Sequence, residues 1–175
     1  MGREDQGVSQ GRLRYQVVPR TLCFITYQAD LLLLRGGPDK RLWAGLYNGV
    51  GGHVEAGEDI YSAALREIGE ETGLEVTGLR LCGIVHADAG DPALGILFFV
   101  FTAVAASRAV RPSAEGTLEW VSAAGLPAGG MVEDLPVLIP KVLGLGPQEP
   151  PFFALYRYDA EDRLTITFSP QAARD

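Results

Sequence analysis

Residues 52–74 read GHVEAGEDIYSAALREIGEETGL, and no other stretch of this 175-residue chain restricts its fold as tightly. Tyr61, Ala64, Leu65, Ile68 and Thr72 recur at the helical period. The spacing therefore predicts a helix from about Asp59 to Thr72, ended by Gly73. Yet the stretch holds five glutamates and one aspartate beside a single arginine. Glu67, Glu70 and Glu71 fall three or four residues apart and share one face, so Leu65 and Ile68 are expected against a core with the acids turned away from it. Like charges at that spacing weaken a helix by roughly 0.2–0.5 kcal/mol a pair. A helix that keeps them has either a solvated acidic face or a cation to share.

The segments around this helix read as strands. RTLCFITY (20–27) and LLLLR (31–35) flank a Gln-Ala-Asp turn, LRLCGIVHA (79–87) and LGILFFVFTAVA (94–105) follow the helix, and TLEWVS comes later. The run 94–105 has the continuous apolar character of a strand buried on both faces. Residues 36–45 form a Gly/Pro-rich loop leading into LYNGVGG, 107–116 form another loop, and GLPAGG is a turn. A second helix is predicted over 132–143, with Pro136 and Pro140 as its weak points. FFALYRY and RLTITF, separated by DAED, read as a closing hairpin. No internal repeat or low-complexity segment interrupts this order, so the expectation is α/β. Residues 1–14 read as a loose arm and 15–175 as one domain.

Charge and cysteine content narrow the function. The net charge is −7, and the segment 55–75 alone carries seven acids against Arg66. One concentrated anionic site fits that distribution, whereas a polymeric nucleic acid would require a basic stripe. No apolar run reaches the ~18 residues of a membrane helix, and the polar N-terminus lacks a signal core, so the expected location is cytoplasmic. Cys23 and Cys82 sit inside apolar strand-like runs and read as buried thiols in a reducing compartment.

Clustered carboxylates are hard oxygen ligands suited to Mg²⁺ or Mn²⁺, which a nucleotide's phosphates would complete. Gly51-Gly52 and Gly57 make a tight loop whose backbone can approach a ligand, and Arg66 can orient a carboxylate bidentately. The register Gly52, Glu58, Arg66-Glu67-Ile68, Glu70-Glu71, Gly73-Leu74 resembles in full the signature of the Nudix hydrolases. At residue frequencies of about 5–8%, chance would align its seven fixed positions far less than once in ten million starts. The resemblance implies an α/β/α sandwich with a mixed sheet and one catalytic box helix. It also implies metal-dependent hydrolysis of a nucleoside diphosphate derivative. Carried over residue by residue, it makes Glu67, Glu70, Glu71 and the carbonyl of Gly51 metal ligands, with Arg66 among the catalytic residues. An extra loop carboxylate often assists in the family as ligand or base. Glu115 is the candidate, or else an exposed loop acid, and Glu119 the fallback.

Across residues 20–170 the chain is most similar to the MutT-type diphosphatases, which destroy oxidised purine nucleoside triphosphates such as 8-oxo-dGTP. Asn48 matches that subgroup's base-reading asparagine, whose amide offers a donor and an acceptor, although it could equally be a turn residue. Glu133 and Asp134 match an acidic pair held against the base, or alternatively cap a helix. Arg35 is a phosphate contact or a strand-end surface charge. Where human-type members of the subgroup line the base pocket with aromatics, this chain holds His86, Asp88 and Val132. Trp43 and Tyr47 are the aromatics left for stacking, or else they serve as loop packing. His53 and His86 read as surface or pocket-rim residues, since hard cations prefer oxygen. The implied partner is a small nucleotide, taken by a monomer or homodimer. The alternatives are hydrolysis of ADP-ribose or a dinucleoside polyphosphate, and a regulatory module that senses nucleotide without cleaving it. Isomerase chemistry on a prenyl diphosphate would require a cysteine-containing site and ranks last.

Overall fold

The computed structural model describes residues 14–39 and 43–170; the predicted arm, apart from Arg14, lies outside these residues. In chain order the elements are β1 (Gln16–Tyr27), β2 (Asp30–Gly36), β3 (Tyr47–Asn48), α1 (Ile60–Thr72), β4 (Val76–Asp91), β5 (Leu94–Ala105), β6 (Gly116–Ser122), α2 (Leu135–Leu143), β7 (Phe152–Tyr158) and β8 (Leu164–Phe168). The strands form one sheet in the order β3-β2-β1-β5-β4-β7-β8, with β6 also paired to β2. β1 runs parallel to β5 and β4 parallel to β7, while the other pairs are antiparallel, so the sheet is mixed as expected. β6 pairs with β2 along all of Asp30–Gly36. A strand has only two edges, so β1 and β3 divide the other one, at Asp30–Leu32 and Leu34–Arg35 respectively.

Period-two alternation sorts the core into two layers. Leu22 and Phe24 of β1 pack with Leu31 and Leu33 of β2 and with Leu135, Leu138, Ile139 and Val142 of α2. Cys23 and Ile25 face the other way, joining Leu32, Phe101 and Ala103 under Ala64 and Ile68 of α1. Both sheet faces are therefore covered by a helix, which gives the expected α/β/α sandwich. Cys23 and Cys82 are buried free thiols on opposite sides of the sheet. Burial, reinforced by the charges of Glu71 and Glu67, pushes the Cys23 thiol well up. Among the described residues no helix is long and apolar enough to cross a membrane.

Three local expectations need correction. In α1 the buried residues are Ala63, Ala64, Ile68 and Thr72, whereas Tyr61 and Leu65 are 50% and 40% exposed. The helix is turned because Glu67 and Glu71 are half-buried against the Gly51-Gly52 turn, which carries Leu65 round to solvent. Only Glu70 of the three acids is exposed. In β5, Val100, Phe101, Ala103 and Ala105 are buried, but Val104 is 51% exposed, so its end is covered on one face only. The second helix starts at Leu135 rather than at Val132. Pro136 fits its first turn, where the missing N–H would have no partner. Pro140 does remove an internal hydrogen bond, and the four apolar side chains on the buried face hold the helix in spite of it.

Candidate active site

The acidic end begins with two glycines. Gly51 has φ +149°, and a side chain there would run into the Thr21 carbonyl of β1. A Cβ on Gly52 would come within 2.5 Å of Glu67 Oε1. Only glycine therefore lets strand, turn and helix meet this closely. Thr21 N–H donates to the Gly52 carbonyl at 2.8 Å, and Gly51 N–H donates to Glu71 Oε2 at 3.0 Å. The helix that carries the acids is closed at both ends. Asp59 accepts from Tyr61 N–H at 2.8 Å, Ser62 N–H at 3.0 Å and the Ser62 hydroxyl at 2.7 Å. The Ser62 hydroxyl leads the contacts that hold the Asp59 carboxyl below the usual carboxylate range. Gly73, at φ +70°, returns its N–H to Gly69 at 3.0 Å.

Arg66 offsets part of the cluster's charge. Its Nε and Nη2 donate to the two oxygens of Glu58 at 3.1 and 2.7 Å, and Nη1 donates to Glu67 at 2.9 Å and Glu70 at 3.0 Å. Nη2 also reaches the His53 carbonyl at 3.0 Å, tying helix to loop. The fork on Glu58 is the largest cause of that carboxyl's lowered pKa and of the guanidinium's raised one. As the side chains stand, no three Asp, Glu, His or Cys residues among the described ones converge closely enough to share an ion. The physical cause is visible: Arg66 holds Glu67 and Glu70, and Glu71 is turned to the Gly51 amide. The donor chemistry nonetheless fits a hard divalent cation, because Glu67, Glu70, Glu71 and Glu115 line one cavity with the Gly51 turn.

That cavity, of about 570 Å³, continues from the acids past Arg20 and Asn48 to a second polar cluster of Asp88, Glu133, Asp134, Tyr156 and Tyr158. Of the residues singled out from sequence, Asn48, Gly51, Arg66, Glu67, Glu70, Glu71, Glu115, Glu133 and Asp134 all line it. Trp43, Asp88, Val132 and His53 do so as well. Arg35 does not: its Nε donates to the Gly45 carbonyl at 3.2 Å and its guanidinium lies 5.5 Å over the Tyr47 ring. Arg35 therefore stands outside the lining, engaged by the Gly45 carbonyl and the Tyr47 ring, and its position lends the phosphate-contact expectation no support. Glu119 and Tyr47 are also outside the lining, bonded to each other at 2.7 Å, a contact that raises the Tyr47 pKa. His86 is also outside the lining, for it meets the Tyr15 hydroxyl at 2.5 Å under an edge-to-face ring contact of 5.3 Å.

The polar cluster answers two open alternatives. Asn48 Oδ1 accepts from Gly49 N–H at 2.8 Å, so the turn role is real and coexists with a place in the cavity wall. Asp134 occupies the N-cap position of α2 but makes no side-chain cap bond. Burial instead pushes its carboxyl above the usual range. Glu133 accepts from Leu164 N–H at 3.3 Å, joining α2's entry to the final hairpin.

Two cavity residues went unnoticed in the sequence. Arg20 has a buried Nε with no hydrogen-bond partner, and burial lowers its pKa. Tyr156, only 5% exposed, has a buried hydroxyl that is likewise unpartnered, with Asp134 beside it. The available signal was parity, since Arg20 shares the α2-facing row of β1 with Leu22 and Phe24, and Tyr156 that of β7 with Phe152 and Ala154. A polar head in an otherwise apolar row marks a wall that is not simple core.

A family model described as the NUDIX domain matches residues 17–142. The chain is 33% identical over 73 residues to the NAD-capped RNA hydrolase NudC of Pseudomonas aeruginosa, a match taking in 42% of this chain but 26% of that relative's length. Among solved structures it resembles the MutT protein of Bacillus halodurans, with a TM-score of 0.72 and 25% identity over 89% of this chain and 99% of that one. The NUDIX domain of Shewanella oneidensis NrtR, solved with ADP ribose, gives a TM-score of 0.66 at 15% identity over 82% and 98% of the two chains, a likeness of fold alone.

Proposed function

This chain belongs to the NUDIX domain family, and from that premise we propose that it hydrolyses a purine nucleoside triphosphate, of the oxidised 8-oxo-dGTP kind, to monophosphate and pyrophosphate. The observation that carries this reading is the single cavity with carboxylates at one end and an amide and acidic pair at the other. Its volume of about 570 Å³ suits a nucleotide laid with phosphates toward α1 and base toward α2. Glu67, Glu70, Glu71 and Glu115, with the Gly51 carbonyl, would hold Mg²⁺ or Mn²⁺. When bound, such an ion neutralises charge on the phosphate oxygens and acidifies a water molecule.

The chain's own residues account for the rest. Arg66 keeps Glu67 and Glu70 oriented from one side. A carboxylate at this end, Glu115 or one on the helix, takes the proton as the water oxygen bonds to phosphorus and pyrophosphate departs. Arg20, with its unpartnered Nε, is the cation best placed to meet a phosphate oxygen. At the far end Asn48 offers an amide, and Glu133 and Asp134 offer carboxyl groups, that of Asp134 raised above the usual range by burial. A cytoplasmic location and a free nucleotide as partner belong to the same reading.

The test is product analysis with Mg²⁺ across 8-oxo-dGTP, 2-oxo-dATP, the normal triphosphates, ADP-ribose and diadenosine polyphosphates. A kcat/KM preference for an oxidised purine triphosphate, with pyrophosphate released, is the expected result. A preference for ADP-ribose would retain the acidic end as the hydrolytic site and remove the base assignments.

A further inference from the structure

Arg20 and His53 face each other across an isolated antiparallel bridge. Thr21 N–H donates to the Gly52 carbonyl at 2.8 Å and Val54 N–H to the Pro19 carbonyl at 3.2 Å, so the backbone bonds fall on either side of the pair. In that register the two Cα atoms approach to about 4.5 Å and both side chains rise from the same face. Both line the cavity. Arg66 holds the turn in place from the helix, through its bond to the His53 carbonyl at 3.0 Å. Arg20 itself is half-buried, and its Nε is buried without a hydrogen-bond partner. Burial is the one cause of its lowered pKa, with no carboxylate contributing, although acids line both ends of the cavity. Those nearest the turn are engaged elsewhere, Glu67 and Glu70 by Arg66 and Glu71 by the Gly51 amide. A buried donor left unmade is costly, and an anion that enters the cavity removes the cost.

We infer that Arg20 and His53 form a phosphate seat that needs no metal ion and holds the phosphoryl group joined to the nucleoside. The inference rests on the nucleotide reading above and adds to it the pair that retains the monophosphate product. Position assigns the phosphate. Arg20 stands between the acids and the base end of the cavity, where the phosphate nearest the sugar comes to rest, and the outer phosphates lie over Glu67, Glu70 and Glu71. Chemistry assigns the contacts. A guanidinium presents Nε–H and an Nη–H as a fork matched to two phosphate oxygens, and Nε is the donor left open here. An imidazole carries at least one N–H in either tautomer, so His53 donates without having to be charged. Neither contact passes through a divalent ion. The monophosphate therefore stays seated after pyrophosphate leaves, and it competes with the next substrate.

The experiment is calorimetric binding in EDTA, with 8-oxo-dGMP and AMP each compared with its own nucleoside. In the wild type each monophosphate should bind about 10- to 100-fold more tightly than the nucleoside, as charge-assisted contacts imply. Arg20→Gln should lose most of that ratio and bind the nucleosides within about twofold of wild type. His53→Ala should lose roughly fivefold, and His53→Gln, which keeps an N–H, should recover most of it. The Tm of free Arg20→Gln should hold or rise, because Nε has no partner to lose. Three results would overturn the proposal: monophosphates bound no more tightly than nucleosides, a preference that arises only when Mg²⁺ is added, or Arg20→Gln with a lowered Tm and both ligands weakened alike. Assay of hydrolysis across the nucleotide panel separates this from the reaction. A wild type that cleaves no triphosphate yet keeps Arg20-dependent binding in EDTA would refute the reaction and keep the seat. Cleavage without that binding would do the reverse.

Discussion

Glu71 accepts from the Gly51 amide through one oxygen, at 3.0 Å. A glutamine in its place keeps an oxygen for that bond but loses the charge and exchanges the other oxygen for an amino group. Glu71→Gln is therefore expected to leave the circular dichroism spectrum unchanged and to cut turnover by at least about 100-fold, as loss of a metal-held charge implies. Near-normal activity would sink the metal assignment. Asp134 yields a pH prediction. Its folded pKa is raised by burial, so between the unfolded value near 4 and the folded value the native state keeps a proton that the unfolded chain has lost. The carboxyl's contribution to stability is then complete below pH ~4 and is lost as pH rises through the folded pKa. Asp134→Asn, which cannot ionise, should flatten that limb of a denaturant-midpoint series. A limb identical to wild type would show that Asp134 ionises freely in the folded protein.

At the scale of elements, α1 shows how a correct period can carry an incorrect rotation. The 3.6-residue spacing identifies the helix, and Asp59 and Gly73 set its limits. The spacing alone does not say which of two adjacent stripes is buried. The contacts of Glu67 and Glu71 with the glycine turn make that choice, turning Ala63 inward and Leu65 outward. Ile68→Ala should accordingly cost about 2–5 kcal/mol, while Leu65→Ala should stay within about 0.5 kcal/mol of wild type. Denaturant unfolding of the two variants reads the difference, and equal losses would contradict the observed rotation. In α2 the burial of Leu135, Leu138, Ile139 and Val142 outweighs the bond lost at Pro140, and propensity alone had no means of weighing that.

At the scale of the molecule, the acids of residues 55–75 carry most of the net charge of −7, and Glu55, Glu67, Glu70 and Glu71 among them line one cavity. Arg66 answers part of it and a divalent ion would answer more, so Mg²⁺ should stabilise the folded chain by mass action. At a hundred times its dissociation constant the gain is about 2.7 kcal/mol, or some 5–10 °C in Tm for a chain of this size. Chelation should reverse the shift and abolish hydrolysis together. A Tm indifferent to Mg²⁺ in wild type would speak against a resident metal, and persistence of the shift in Glu71→Gln would move the ion to other ligands.

By itself the sequence determined what is local and periodic: the strand runs, the acidic helix with its glycine stop, the final hairpin, and the register that places this chain in its family. Each depends on residues a few positions apart, whose geometry the backbone dictates. Only the tertiary structure decided which of those residues share a space. Glu115 reaches the cavity while Glu119, four residues on, is bound to Tyr47. Arg35 turns to Gly45, His86 to Tyr15, and Arg20 and Tyr156 enter the wall from strands distant in sequence. Those outcomes follow from how eight strands are ordered and how far each is shifted against its neighbour. A one-residue change in that register would carry every side chain of a strand to the opposite face.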